Sequence, residues 1–149
     1  MNKNCIITGA TDGIGKQTAI ELAKLGYNLG LVGRNQEKGR LLIQEIEKIT
    51  GNQSIKYFNT DLSEIKKLKE LTSNIKNKFN SIDVLINNAG AYYSTFEKTK
   101  EGLERTFALN HLSYFTLTHL LTGALEKGKT SRVINVASAA HFSAKLDIN

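Results

Sequence analysis

The sequence predicts an α/β fold built on a doubly wound parallel sheet, truncated after its fifth strand, with strand order 3-2-1-4-5. Three observations predict it. Short apolar runs alternate with longer helical patterns along the chain. The candidate strands are continuously apolar, as strands covered on both faces are. Strands that alternate with helices must run parallel and be joined by crossovers, which are right-handed.

Each element has its own signal. Cys5-Ile6-Ile7 is a short apolar, partly β-branched run followed by a turn, and reads as the first strand. From Gly15 to Leu25, Ala19, Ile20, Leu22, Ala23 and Leu25 form a helical face, and Gly26 ends it as a left-handed cap. Leu29 to Val32 is the second strand. Leu41, Leu42, Ile46 and Ile49 predict the apolar face of the next helix, closed by Gly51. Ile55 to Phe58 is the third strand. Ile65, Leu68, Leu71, Ile75 and Phe79 recur at spacings of three and four, which predicts an amphipathic helix over residues 63–79. Val84-Leu85-Ile86 is the fourth strand, residues 102–125 a fourth helix, and Val133 to Ala137 the fifth strand.

Composition limits what such a chain can be. At 149 residues there is room for one domain with a real core. No apolar stretch approaches the roughly 20 residues that span a membrane. Met1-Asn2-Lys3-Asn4 leads straight into a short apolar run, unlike a secretory signal, and Cys5 is the single cysteine. These features predict a cytoplasmic protein. The net charge is +6, but Lys66, Lys67 and Lys69 stand beside Glu64 and Glu70, so the basic residues read as a solvated helix face and no nucleic-acid partner is expected. The three histidines show no metal-ligand spacing, so no metal is expected.

The first strand runs into Thr8-Gly9-Ala10-Thr11-Asp12-Gly13-Ile14-Gly15, directly before a helix. That context gives the glycines meaning. Gly9 suits a tight turn, Gly13 a close approach of backbone to a pyrophosphate, and Gly15 close packing of helix on sheet. The helix N-terminus adds unpaired N–H groups and a partial positive charge. A Walker-type phosphate loop does not fit, because its first glycine is replaced by Ala10 and its hydroxyl by Gln17. At the end of the second strand an acidic residue would hold the ribose hydroxyls of NAD; this chain has Gly33-Arg34-Asn35 instead. An arginine fork suits a 2′-phosphate, so NADP is expected over NAD.

Taken together, the chain resembles the short-chain dehydrogenase/reductase family. The resemblance rests on Thr8 to Gly15, Asp61-Leu62, Asn87-Asn88-Ala89-Gly90, Asn110 and Ser138, in the expected order. Gly33-Arg34-Asn35 with Lys38-Gly39, Thr99-Lys100-Glu101-Gly102, Asn110-His111-Leu112 and Val133 through His141 are most similar to the retinol-dehydrogenase-like branch. The resemblance implies a Rossmann-type domain in which Gly9, Thr11, Gly13, Ile14, Gly15, Arg34 and Asn35 bind the cofactor. It places Asp61 and Leu62 beside the adenine, and Asn88, Ala89 and Gly90 along the cofactor. Asn87 would either join them or brace the sheet. Asn110 would hold a water in a proton relay. Ser138 would bond the substrate oxygen and stabilise its developing charge. The implied reaction interconverts a small-molecule alcohol and a carbonyl, with apolar substrates favoured. His111 and His141 are read as structural or solvent-facing.

The family also uses a Tyr with a Lys four residues later as its acid/base machinery. No tyrosine here supplies that pair: Tyr27, Tyr57, Tyr92, Tyr93 and Tyr114 are followed at that spacing by Leu31, Asp61, Phe96, Glu97 and Thr118. The resemblance therefore implies the N-terminal half of an oxidoreductase, a cofactor-binding fragment that is inactive alone and open to self-association along its fifth strand. A catalytically inert nucleotide-binding product is the alternative expectation.

Overall fold

The computed structural model describes residues 2–128 and 130–143. Five parallel strands, β1 (Asn4–Thr8), β2 (Asn28–Gly33), β3 (Ile55–Asn59), β4 (Val84–Asn87) and β5 (Arg132–Asn135), form one sheet ordered β3-β2-β1-β4-β5. The order is the expected one. Register is set strand by strand: Ile6 lies opposite Gly30 on one side and Leu85 on the other, and Ile86 opposite Ile134.

Alternation along the strands divides the core in two. Cys5, Ile7, Leu29, Leu31 and Tyr57 pack beneath helices α1 (Gly13–Lys24) and α2 (Gln36–Thr50). Ile6, Val32, Phe58 and Leu85 pack beneath α3 (Leu68–Lys78) and α5 (Ser113–Leu125). Each strand thus needs apolar side chains on both faces, which is why the strands read as continuous apolar runs. Among the described residues, no helix is long and apolar enough to cross a membrane.

Four elements depart from expectation. In α2, Leu42 and Ile46 are buried, but Leu41 and Ile49 are half exposed. The helix is rotated so that Gly39 meets the sheet, because the Tyr57 ring occupies the space a Cβ there would need. The helix expected over residues 63–79 begins as a single 3-10 turn, Ile65–Lys67, and becomes α-helical only at Leu68. The Asp61 side chain accepts bonds from the Ser63 N–H and hydroxyl, and this holds the preceding residues in a turn. The helix expected from Gly102 starts at Arg105, as the short turn α4 (Arg105–Phe107), because Gly102 is left-handed (φ 80°) and the Glu104 carboxylate caps the Thr106 and Phe107 N–H groups. It then passes through a π-helical turn, Ala108–Leu112, before α5. The fifth strand pairs only over Arg132–Asn135, short of Ala137, and one last bond from the Val136 N–H to the Asn87 carbonyl closes the ladder.

Candidate functional site

Because β1 has β2 on one side and β4 on the other, the chain leaves its carboxyl end in opposite directions, and a crevice must open there. A cleft of about 680 Å³ occupies that place. Its floor is the loop after β1, with Gly9, Thr11, Asp12, Gly13 and Ile14. The end of β2 supplies Gly33, Arg34, Asn35 and Lys38; the end of β3 supplies Thr60, Asp61 and Leu62; the end of β4 supplies Asn88, Ala89, Gly90 and Ala91. Leu109 and Val136 close the far side.

The three glycines of the loop have different physical reasons. Gly9 is left-handed (φ 65°), and a Cβ on it would come within 2.7 Å of the Ala89 Cα. Gly15 is buried, and a Cβ there would run into the Gly9 carbonyl and the Asn88 amide. Gly13 is also left-handed (φ 50°), but no protein atom lies within 4 Å of the place a Cβ would take. Gly9 and Gly15 thus serve packing, whereas Gly13 lines the cleft with open space where a side chain would stand. At the start of α1 the Asp12 side chain accepts from the Gly13 N–H, and the Lys16 N–H reaches the Asp12 carbonyl. The intervening Ile14 and Gly15 N–H groups sit in the first turn, where no intrahelical carbonyl is available.

The turn after β4 is bolted to this loop by Thr8, the first residue of the loop motif, to which the sequence assigned no role of its own. Thr8, fully buried, accepts at its hydroxyl from the N–H groups of Asn88 (2.9 Å) and Ala89 (3.0 Å). The Asn88 amide donates back to the carbonyls of Thr8 (2.9 Å) and Gly9 (3.2 Å). Its position at the end of an apolar strand was the available signal, since a hydroxyl buried there must find partners.

The rim at β2 is cationic. Arg34 donates to the Tyr93 hydroxyl at 3.4 Å, and the Lys38 ammonium lies 3.5 Å from the Asp12 carboxylate. Asn35 caps α2 by accepting from the Lys38 N–H, so Lys38 follows from the helix start that places Asn35. At the neighbouring end of β3, partial burial opposes ionisation of Asp61. The two Ser63 bonds and the charges of Arg34 and Arg105 outweigh it and hold the carboxyl below its ordinary range.

The remaining expected residues lie apart from the cleft lining. Asn87 is fully buried, and its amide donates to the Thr118 hydroxyl (3.2 Å) and the Asn135 side chain (2.8 Å), bracing β4 against α5 and β5. Asn110 sits in the π-helical turn and pairs with the backbone of Ala91 in both directions, at 3.0 and 2.9 Å. Ser138 is exposed after β5, and its hydroxyl accepts from the Ala140 N–H at 3.2 Å. His111 is exposed and stacks on Phe107 with ring centroids 5.0 Å apart. The side chain of His141 lies outside those described. Among the described residues, no group of three His, Cys, Asp or Glu side chains could hold a metal ion.

Comparison with known proteins agrees with this layout. The family described as short chain dehydrogenase matches residues 3–146. The chain is 40% identical over 144 residues to retinol dehydrogenase 11 of Homo sapiens, and 39% identical over 147 residues to retinol dehydrogenase 13 of the same organism. It is 36% identical to the polyprenol dehydrogenase of Homo sapiens. These alignments cover 97–99% of the chain but 44–45% of the relatives, so the chain spans about half their length. Among solved structures, a short-chain dehydrogenase of Sphingobium yanoikuyae in complex with NADPH superposes with a TM-score of 0.81 at 27% identity, over 95% of this chain and 56% of that one. A metagenomic short-chain oxidoreductase in complex with NADP gives 0.78 at 26% identity, over 93% and 63%.

Proposed function

The chain belongs to the short-chain dehydrogenase family, and from that premise we propose that these residues form the NADP(H)-binding portion of an oxidoreductase interconverting an alcohol and a carbonyl. The observation that carries the proposal is the space beside Gly13: left-handed backbone with no protein neighbour, at the start of a helix, on the floor of the cleft. The neighbours solved with NADPH and NADP support the same cofactor class. When bound, that cofactor supplies or accepts the hydride.

The chain's own residues divide the work. The Ile14 and Gly15 N–H groups and the α1 N-terminus attract the pyrophosphate. Asp61 and Leu62 flank the adenine, and Ala89 and Gly90 line the path between the two ends of the cofactor. Arg34, with Lys38 near it, meets a 2′-phosphate. Ser138 donates to the substrate oxygen, and Asn110, held by Ala91, positions a water. That relatives are named for retinol and polyprenol supports an apolar substrate for this reading. Because no Tyr is followed by Lys at the fourth position, these 149 residues by themselves bind cofactor but turn over little substrate. A nucleotide-binding product without catalysis is the second reading, favoured by that same missing pair.

Thermal denaturation with NADPH and with NADH tests the proposal. One charge-assisted contact contributes about 1.5–3 kcal/mol, roughly 10- to 100-fold in affinity. NADPH should therefore protect more strongly, and Arg34→Ala should erase most of the difference. Equal protection by both cofactors would rule out the NADP preference, and protection by neither would rule out the binding site.

A further inference from the structure

We propose that Tyr93 is a positioning residue for cofactor specificity: it holds the Arg34 guanidinium at the rim of the cleft, ready to receive a phosphate. The inference rests on the NADP(H) reading above.

Arg34 follows β2 and Tyr93 follows β4, with β1 and its glycine loop between them. Their contact, Arg34 Nη1 to Tyr93 Oη at 3.4 Å, therefore spans the crevice. Arg34 is exposed, and an exposed arginine ordinarily samples many rotamers, whose entropy is lost on binding. A fixed acceptor removes part of that loss before the ligand arrives.

Tyr93 is itself fixed from behind. The Arg105 guanidinium lies 4.3 Å from its ring centroid, in cation–π contact. Arg105 is in turn ion-paired with Glu97, and its N–H donates to the Glu97 carbonyl at 2.9 Å. The segment carrying Tyr93 is clamped at one end by the two hydrogen bonds between Asn110 and Ala91, and at the other by Glu101, which accepts from the Lys66 N–H at 2.9 Å. A chain of contacts thus runs from Glu97 through Arg105 and Tyr93 to Arg34.

The chemistry suits a phosphate. The phenol oxygen accepts one of the five guanidinium N–H groups and leaves the others in their planar fork. As an acceptor toward Arg34, the phenol keeps its own hydrogen to donate to an anion seated beside the guanidinium. Arg105 adds a second positive charge behind the ring. A cofactor without the 2′-phosphate would gain nothing from this arrangement.

The test is titration of the full chain with NADPH and with NADH, read as dissociation constants, for the unaltered protein, Tyr93→Phe, Arg105→Met and Arg34→Ala. Tyr93→Phe keeps the ring on Arg105 and removes only the hydroxyl. Loss of one hydrogen bond predicts NADPH affinity weakened about 2- to 10-fold, with NADH affinity unchanged. Arg105→Met unseats the ring and should narrow the NADPH-to-NADH preference at least as much. Both variants lie outside the core, so their melting temperatures without cofactor should stay near that of the unaltered protein. If NADPH is preferred, Arg34→Ala abolishes the preference, and Tyr93→Phe leaves it intact or strengthens it, the role of Tyr93 is overturned and the NADP(H) reading stands. If the unaltered protein binds the two cofactors equally, both fall.

Discussion

The hydroxyl of Tyr57 stands where a side chain at Gly33 would begin: a Cβ on Gly33 would lie 2.7 Å from it. The same hydroxyl donates to the Asn35 carbonyl at 2.9 Å, so it cannot withdraw without losing a bond. A side chain at this position, a carboxylate included, would have to displace the Tyr57 hydroxyl from that bond.

This relationship predicts energetic coupling between the two positions. Gly33→Ala should cost about 1–3 kcal/mol through overpacking. Tyr57→Phe should cost about 1 kcal/mol through the lost hydrogen bond. With the hydroxyl gone, the nearest neighbour of the new methyl is the Thr11 methyl at 3.3 Å. The double variant should therefore lose less than the sum, and urea unfolding of the four proteins measures it. Strict additivity would mean that Tyr57 moves aside freely.

The glycine loop predicts a separation of binding from folding. Gly13→Val should abolish cofactor binding, because the new side chain fills space that no protein atom uses. Its cost to stability should be the strain of a left-handed residue, about 1–2 kcal/mol or somewhat more for a branched side chain. Gly15→Ala should do the reverse of a local change and destabilise the fold outright, since its methyl meets the Gly9 carbonyl and the Asn88 amide. Circular dichroism melts beside cofactor titrations distinguish the two. Unchanged affinity in folded Gly13→Val would place the phosphates elsewhere.

Cys5 predicts an alkaline limb. Burial, with a contribution from Asp83, pushes its thiol up to about 12. Between the unfolded value near 9 and that folded value, the unfolded chain releases its proton and the folded chain does not. Stability from the neutral thiol is thus complete below about pH 9 and falls as pH rises toward 12, by about 1.4 kcal/mol per unit. Comparing Cys5→Ala with the unaltered chain across this range isolates the term, and the variant should show the shallower decline. At neutral pH the folded thiol should resist alkylation until urea opens the structure.

The edge at β5 predicts association of the 149-residue chain. Among the described residues β5 pairs only with β4, and Val133 and Ile134 are 40% and 45% exposed. Unpaired strand groups beside apolar side chains invite another chain. Size-exclusion chromatography should show concentration-dependent oligomers, and Ile134→Lys should reduce them. Assayed in parallel, NADPH oxidation with aldehydes and ketones should be near background. A clean monomer with robust turnover would contradict both expectations.

The order and kind of the elements were legible in the residues alone, because apolar runs and helical spacings are local properties that burial on two faces imposes directly. The sequence also marked the glycine loop and Arg34 by their place at strand ends, whereas Asp61 and the turn at Asn88 were legible only through the family resemblance. Its limits fall where one residue answers to another far along the chain. Leu41 and Ile49 fit the helical period of α2 as well as Leu42 and Ile46 do, and only the ring of Tyr57 against Gly39 decided which stripe faces the sheet. Residues 102–125 read as one helix, and only Asn110 pairing with Ala91 accompanies the π-helical turn within it. Asn87 and Asn88 are identical neighbours in the sequence, yet strand alternation and the positions of Thr118 and Thr8 set one to bracing the sheet and the other to lining the cleft. Tyr93 carried no sequence signal at all. It meets Arg34 because parallel crossovers bring the ends of β2 and β4 to the same edge of the sheet, a proximity that exists only once the chain has folded.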